Sequence, residues 1–328
     1  GDATADTVGA TNPLGAIAIT GALDLNAAIT SATSLSVSLA SDLGANVTTS
    51  GNQTYSGAVT LSTSNTLTTT SNGNISFGAT VNGDTTGRTL SVTTNGTGDT
   101  TFTGTVGGTN ALGNITINTD VLSAAAIKLA GTLSITNAGT SSITGIISDG
   151  ATAASLTKAG AGELTLSGAN TYTGVTTINA GTLSVGSIGN GGVASGNLGS
   201  ATNSAANLVL GGGTLKYTGS TASTDRNFTL TASTTSTIEV PTSVVLTMSG
   251  ATTNTTGALT KTGAGTLTLT GTHLYTGTTT ISAGTLLLGD GASATGSLST
   301  SGVTNNSSLK YDSATDQTIS YVISGTGS

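Results

Sequence analysis

The 328 residues contain no cysteine, no tryptophan, one methionine, one histidine and only 2 prolines. Without cysteine the chain can form no disulfide, no thiolate metal site and no cysteine nucleophile. Proline lacks the N–H that a sheet ladder uses, so its scarcity favours extended pairing. Pro13 lies near the N-terminus, and Pro241, after Ile238-Glu239-Val240, is expected at a turn or an edge. Aromatic residues make up 3% of the chain, too few for the two-layer core usual at this length. Charge is sparse as well: 7 Lys and Arg against 14 Asp and Glu give a net −7. The cations, Arg88, Lys128, Lys158, Lys216, Arg226, Lys261 and Lys310, are scattered and form no basic patch, which argues against nucleic acid as a partner. No apolar run approaches the roughly 18 residues of a membrane-spanning helix, so the chain is not expected to cross a bilayer. So much Gly, Ser and Thr raises disorder as a rival, but 6% charged and 35% hydrophobic residues weigh against it. The 49 glycines keep no three-residue period, which excludes collagen.

What is present is repetition. Residues 156–186 read LTKAGAGELTLSGANTYTGVTTINAGTLSVG, and residues 259–289 read LTKTGAGTLTLTGTHLYTGTTTISAGTLLLG. About 21 of 31 positions are identical without a gap, about 103 residues apart. A shorter phrase, G-x-L-x-apolar, recurs within each copy at a step of about 19 residues. It recurs again at Gly131–Ile135 and Gly213–Tyr217, and in degenerate form at Ser307–Tyr311. The first half carries another phrase, aromatic-x-x-x-Val, in Tyr55 with Val59, Phe77 with Val81 and Phe102 with Val106.

Each phrase alternates an apolar residue with Thr or Ser, the pattern of a strand with one buried face. Branching at Cβ suits Thr, Val and Ile to the pleated backbone. Gly, Asn, Ser and Asp break the alternation every few residues, as turns require. Short strands, tight turns and a recurrence of about 19–25 residues describe one coil of a β-solenoid with about three strands. The fold expected is all-β, a single-stranded right-handed parallel β-helix with little or no helix. The one helical candidate, VLSAAAIKLA at 121–130, sits between strand-like neighbours and reads as strand and turn. Two zones of one continuous rod are expected, 1–150 with degenerate coils and 151–328 with the long copies. About 15 coils at 4.8 Å would give a length on the order of 70 Å.

The long phrase L-T-K-x-G-x-G-x-L-x-L-x-G-x-x-x-Y-T-G-x-T-T-I-x-A-G-T-L resembles the autotransporter-associated β-strand repeat. Residues 50–120 resemble, more loosely, the repeats of filamentous-haemagglutinin-like exoproteins. The resemblance implies a right-handed parallel β-helix displayed outside a bacterial outer membrane as adhesin, stalk, matrix protein or carrier of a grafted enzyme domain, and handedness is taken from it and from the preference for right-handed crossovers. It is specific for architecture and weak for activity. The pattern is expected to continue past Ser328, where another L-T-K block falls due, in a longer protein or an end-to-end filament.

Chemistry-bearing residues are few. His273, in the place of Asn170, has no neighbouring carboxylate and reads as a turn residue rather than part of a triad. The carboxylate pairs Asp312 with Asp316, Asp84 with Asp99, and Asp225 with Glu239 have spacings of the kind glycoside hydrolysis uses, yet Asp312, Asp316, Asp84 and Asp99 sit at turn sequences where Asp bonds its own backbone. Gly289-Asp290-Gly291 and Asp149-Gly150 are isolated, with no calcium-binding nonapeptide array. Gly211-Gly212-Gly213 and Gly160-Ala161-Gly162 lack the context of phosphate loops and read as tight turns. Tyr55, Tyr172 and Tyr275, in related YSG and YTG phrases, are either sugar-stacking platforms or a stacked corner position, and the second reading is adopted. Asn72, Asn82, Asn137 and Asn170 are candidates for ladders between coils. The N-x-S/T sequons, such as Asn46, Asn52, Asn95, Asn227 and Asn254, leave glycosylation open. No catalytic, cofactor-binding or metal-binding residue is assigned, and no cofactor is implied. The function expected is that of an extracellular structural protein, a stalk, fibre or adhesin rod on a bacterial surface. The partners expected are other copies of the chain, joined end to end or laterally; a polysaccharide- or host-surface-binding adhesin module is the alternative function, and a β-helix glycoside hydrolase or lyase the third.

Overall fold

The computed structural model describes residues 8–9, 12–193, 196–292, 296–314 and 318–328. They form two compact units, Gly1–Tyr172 and Thr173–Ser328. Among the described residues there is no α-helix; the one helical element is a 3₁₀ turn at Ala205–Asn207. Every strand pairing is parallel, as three-strand coils stacked one on the next require.

In the first unit one ladder runs through Val47–Thr49, Asn65–Thr69, Leu90–Thr94, Ile115–Thr119, Thr132–Asn137 and Ser155–Ala159. A second runs through Gln53–Tyr55, Ile75–Phe77, Thr100–Phe102, Leu122–Ala124, Ser141–Ile143 and Glu163–Leu166. A third stacks Leu23–Leu25, Ser41–Leu43, Val59–Leu61 and Val81–Gly83. Successive coils are 18 residues apart at Asn114 and Thr132 and 25 apart at Ser64 and Thr89. The VLSAAAIKLA segment forms the strands Leu122–Ala124 and Ile127–Leu129, as its alternation predicts.

Like side chains stack on like. Leu67, Val92, Ile117 and Ile135 form one inward column, and all four are 0% exposed. The aromatic-x-x-x-Val phrases become two columns. Tyr55, Phe77 and Phe102 stack with centroids 5.3 and 4.7 Å apart, and Val59, Val81 and Val106 pair coil by coil. Each fully buried aliphatic contributes about 1.5–3 kcal/mol, so the core is assembled from many modest terms along a narrow interior. A polar column accompanies it. Thr49, Thr69 and Thr94 are buried, and their hydroxyls donate to the carbonyls of Gly51, Gly73 and Gly98 at 2.5, 2.6 and 2.6 Å. These bonds hold the turn that ends each strand and satisfy oxygens that burial would otherwise strand.

The second unit uses the same logic. Thr235–Glu239, Ala258–Thr262, Thr279–Ile281, Gly302–Asn305 and Val322–Ser324 form one ladder. Ala222–Thr224, Val245–Met248, Thr266–Leu269, Thr285–Leu288 and Ser308–Tyr311 form another. Leu267 of the second long copy lies over Leu286, which lies over Leu309. Pro241 opens a turn in which the Val244 N–H donates to its carbonyl at 3.3 Å. One coil is longer than expected: Thr182 pairs with Thr214, because the loop 186–207 is inserted between their strands. Gly189 and Thr224, bonded across it, are 35 residues apart.

Candidate ligand-binding face

The outward positions of the first unit's long ladder are almost all hydroxyl-bearing. One file runs Thr66, Ser91, Thr116, Ser134 and Thr157, and a second runs Thr48, Thr68, Thr93, Asn118 and Thr136. Files on one strand are about 6.6–6.8 Å apart, and successive coils add about 4.8 Å. Where three coils meet, a groove of about 240 Å³ is lined by Ser64, Asn65, Thr66, Thr89, Leu90, Ser91, Asn114 and Thr116. Its rim is held by side chains that accept from the next coil. Asn46 Oδ1 accepts from the Thr66 N–H at 2.8 Å, Ser64 Oγ from Thr89 N–H at 3.1 Å, and Asn114 Oδ1 from Thr132 N–H at 2.9 Å.

The asparagines expected to bridge coils do so. Asn72 Oδ1 accepts from Thr97 N–H, Asn82 Oδ1 from Thr109 N–H and Asn170 Oδ1 from Ile147 N–H, while Asn137 Nδ2 donates to the carbonyl of Glu163 at 2.9 Å. A further series, Asn52 to Asn74 to Asp99 to Val121, runs along one corner, each side-chain oxygen accepting the next coil's N–H.

The carboxylates are engaged one at a time. Asp84 takes the Nε and Nη2 protons of Arg88 at 2.6 and 2.8 Å, beside the groove; the guanidinium holds this exposed carboxyl down to about 2. Asp99 caps Val121, and Asp225 Oδ1 accepts from Gly191 N–H at 2.7 Å. Glu239 lies alongside Lys216 on the neighbouring strand. Asp312 takes part through its backbone, bonded to Gly291 N–H at 2.8 Å; Asp316 lies outside the described residues. Asp290 and Asp149 each accept from a nearby N–H, of Ala292 and Ala154. Among the described residues no group of three or more His, Cys, Asp or Glu side chains converges as metal ligands would.

Three expectations are corrected or sharpened. Tyr55, Tyr172 and Tyr275 are each 0% exposed, so none is a platform for a sugar. Tyr55 donates to Gln53 Oε1 at 3.2 Å, and the Tyr275 hydroxyl shares a proton with Thr279 Oγ1 at 2.7 Å; burial pushes both phenols up. His273 is not a turn residue. It ends the short strand Thr272–His273, in an inward column after Phe228 and Thr252 and before Leu298. Its ring centroid is 5.8 Å from that of Phe228, neither ring nitrogen has a hydrogen-bond partner, and loss of water pulls it down to about 4.

The third concerns the scattered cations. Lys158, Lys261 and Arg226 are 0, 0 and 2% exposed. Arg226 anchors the loop 186–207, donating from Nε to the Gly189 carbonyl at 2.9 Å and from Nη2 to that of Gly199 at 2.6 Å. Asn197 Oδ1 closes the same loop by accepting from the Gly186 and Ser187 N–H groups. The sequence held a signal for the lysines: in L-T-K the lysine has the same parity as the inward leucine. It held none for Arg226, whose acceptors lie more than twenty residues away.

The Passenger-associated-transport-repeat family matches residues 156–185 and 259–288. Over 132 residues, 40% of the chain, the sequence is 42% identical to the Adhesin BmaC autotransporter of Brucella suis biovar 1 (strain 1330). The chain spans about 4% of the length of that relative. No solved structure matches.

Proposed function

We propose that this chain is a stretch of an autotransporter passenger, a surface-displayed β-helical stalk or adhesive rod on a bacterial outer surface, without enzymatic activity. The observation that carries this reading is that strands of both segments matching the passenger repeat pair in parallel with neighbouring coils. In the second, Leu267 and Leu269 sit over Leu286 and Leu288 of the next coil in strict register. Each coil is held by its neighbours through backbone ladders and apolar columns, so load is shared along the chain. Thr and Ser on the outward files keep the exterior wetted. The similarity to an adhesin autotransporter supports display and adhesion.

The test is display of the parent protein, with and without residues 156–289, on a Gram-negative cell. The intact protein should be labelled on unpermeabilised cells by antibody to the loop 186–207, and adhesion should fall when the segment is removed. Labelling only after permeabilisation would overturn the reading.

A second reading is supported by the groove over Ser64–Thr116. It is polar and uncharged, and its neighbouring cation, Arg88, is neutralised by Asp84. A neutral polysaccharide lying across successive coils suits such a surface better than an anionic one. Glycan binding that survives high salt and is lost on Thr66→Glu with Thr116→Glu would support it; binding unaffected by both would exclude the groove.

A further inference from the structure

Lys158 and Lys261 hold the same place in the two long copies, and each stands in an apolar column. Lys158 is stacked on Ile135, which follows Ile117 and Val92. Lys261 lies between Ile238 and Ile281. An ammonium in such a column is costly unless its protons are bonded, and here backbone carbonyls take them. Lys158 Nζ donates to the carbonyls of Ala159 and Gly160 at 2.6 and 2.9 Å. Lys261 Nζ donates to those of Thr262, Gly263 and Ala283 at 2.6, 2.7 and 3.2 Å. Three acceptors match the three protons of an ammonium.

The sequence that follows each lysine builds this cradle. Gly160 and Gly263 have φ of +73° and +72°, a left-handed conformation that glycine adopts without strain, and both carbonyls turn back to the amine. A Cβ at Gly263 would run into the Val240 carbonyl. The bond from Lys261 to Ala283 spans 22 residues, so it ties one coil to the next as well as closing its own turn.

A chain of this kind has a register problem. Its strands alternate hydroxyl and aliphatic residues, and its coils are near copies. A slip of two residues, or of one whole coil, keeps every side chain on its proper face and costs little packing. One polar group within an apolar column is a known means of selecting a single register. An ammonium displaced from its cradle would lie among leucines and isoleucines without acceptors.

We propose that Lys158 and Lys261 are register locks: buried ammonium groups that admit one closure of the turn that follows and, at Lys261 through Ala283, one pairing with the next coil. The lock responds to protons. Desolvation pulls both amines down to about 8 from an ordinary 10.5. Glu239, on the strand before Lys261, is the charge that acts on it and favours the ammonium; the side chains stacked on the two lysines are isoleucines. Between pH 8 and 10.5 the folded chain releases these protons while the unfolded chain keeps them, so stability rises across that window. At Lys261 a neutral amine has two protons for three carbonyls, and at either site a neutral amine can also be buried out of register. Stability and fidelity therefore move in opposite directions.

The experiment refolds three proteins at neutral pH and above pH 8: the chain, its Lys158→Met/Lys261→Met variant, and an Ile135→Met/Ile281→Met control in the same columns. Amide resonances and hydrogen-exchange protection around residues 262–265 and 283 are read alongside the unfolding midpoint. The lysine variant should be at least as stable as the parent yet refold to a mixture, with doubled resonances and lost protection. The parent should give that mixture only above pH 8, and the control at neither pH. A lysine variant that refolds to one species with full protection overturns the proposal, as does a control that gives the same mixture. If the lysine variant does not fold, the parent decides: a single species on both sides of pH 8 overturns it.

Discussion

Both units set one ring against another, and they do it differently. In the first, Tyr55, Phe77 and Phe102 stack on directly paired strands, with interplanar angles of 12° and 1°. In the second, Phe228 and His273 meet at 40° with Thr252 paired between them. The first arrangement repeats one kind of side chain coil after coil, so burial, dispersion and register all favour the same geometry. The second admits an imidazole whose nitrogens find no donor or acceptor. In the first long copy the same place is held by Asn170, buried like His273 but bonded to the N–H of Ile147 at 2.8 Å. A solenoid accepts almost any side chain whose shape suits its column; what distinguishes positions is whether the backbone of the adjacent coil offers a partner.

That contrast is open to test. Phe77→Ala should have the largest effect, since it opens a cavity with a ring on either side: a loss of about 3–5 kcal/mol in denaturant unfolding. A loss below about 1 kcal/mol would show that the neighbouring rings close the gap.

The second effect is on the acid side. His273 titrates near 4 when folded against an ordinary 6.5. Its folded value is depressed, so above pH 6.5 folding gives up no proton at this site, and stability is lost as pH falls from 6.5 towards 4. The total is about 3 kcal/mol, from roughly 1.4 kcal/mol per unit. Unfolding midpoints measured across that range should show the slope, and His273→Asn should flatten it. An unchanged slope in the variant would place the acid sensitivity elsewhere.

Thr94→Val should come third. It removes the bonds to Gly98 O and Thr119 Oγ1 at 2.6 and 2.9 Å while preserving shape; the Gly98 carbonyl keeps the Asp120 N–H at 3.0 Å and the Thr119 hydroxyl at 3.1 Å, so the cost is that of one hydrogen bond, about 0.5–1.5 kcal/mol. Arg88→Ala should be smallest. Its pair with Asp84 is in water, and solvent screens it, so the thermal midpoint should not move measurably. A clear drop would mean that the 83–89 loop supports the groove beside it.

Much of this fold was legible because its period is local. Two-residue alternation placed Leu67, Val92 and Ile117 inside and Thr66, Ser91 and Thr116 outside, and the recurrence of Tyr55, Phe77 and Phe102 gave the ring column. Polar side chains were harder to place. Lys158 and Lys261 entered only as scattered cations: their inward parity was in the sequence, but the carbonyls that accept them become visible only once the turn has closed. The tyrosines offered two uses at one spacing, and their burial agrees with the structural one adopted from the sequence. The candidate groove had no signature, since its wall is three strand starts, each 25 residues from the next.

By itself the sequence determined the strand, the turn and the coil, because each depends on residues within about twenty positions: Cβ branching, glycine at the turns and hydroxyls in alternation. The tertiary structure decided where polarity is tolerated inside. The fate of Asn170, His273, Lys261 and Arg226 hangs on N–H and carbonyl groups that stacking does or does not bring into reach, and a hydrogen bond formed between coils has no counterpart in the order of residues along the chain.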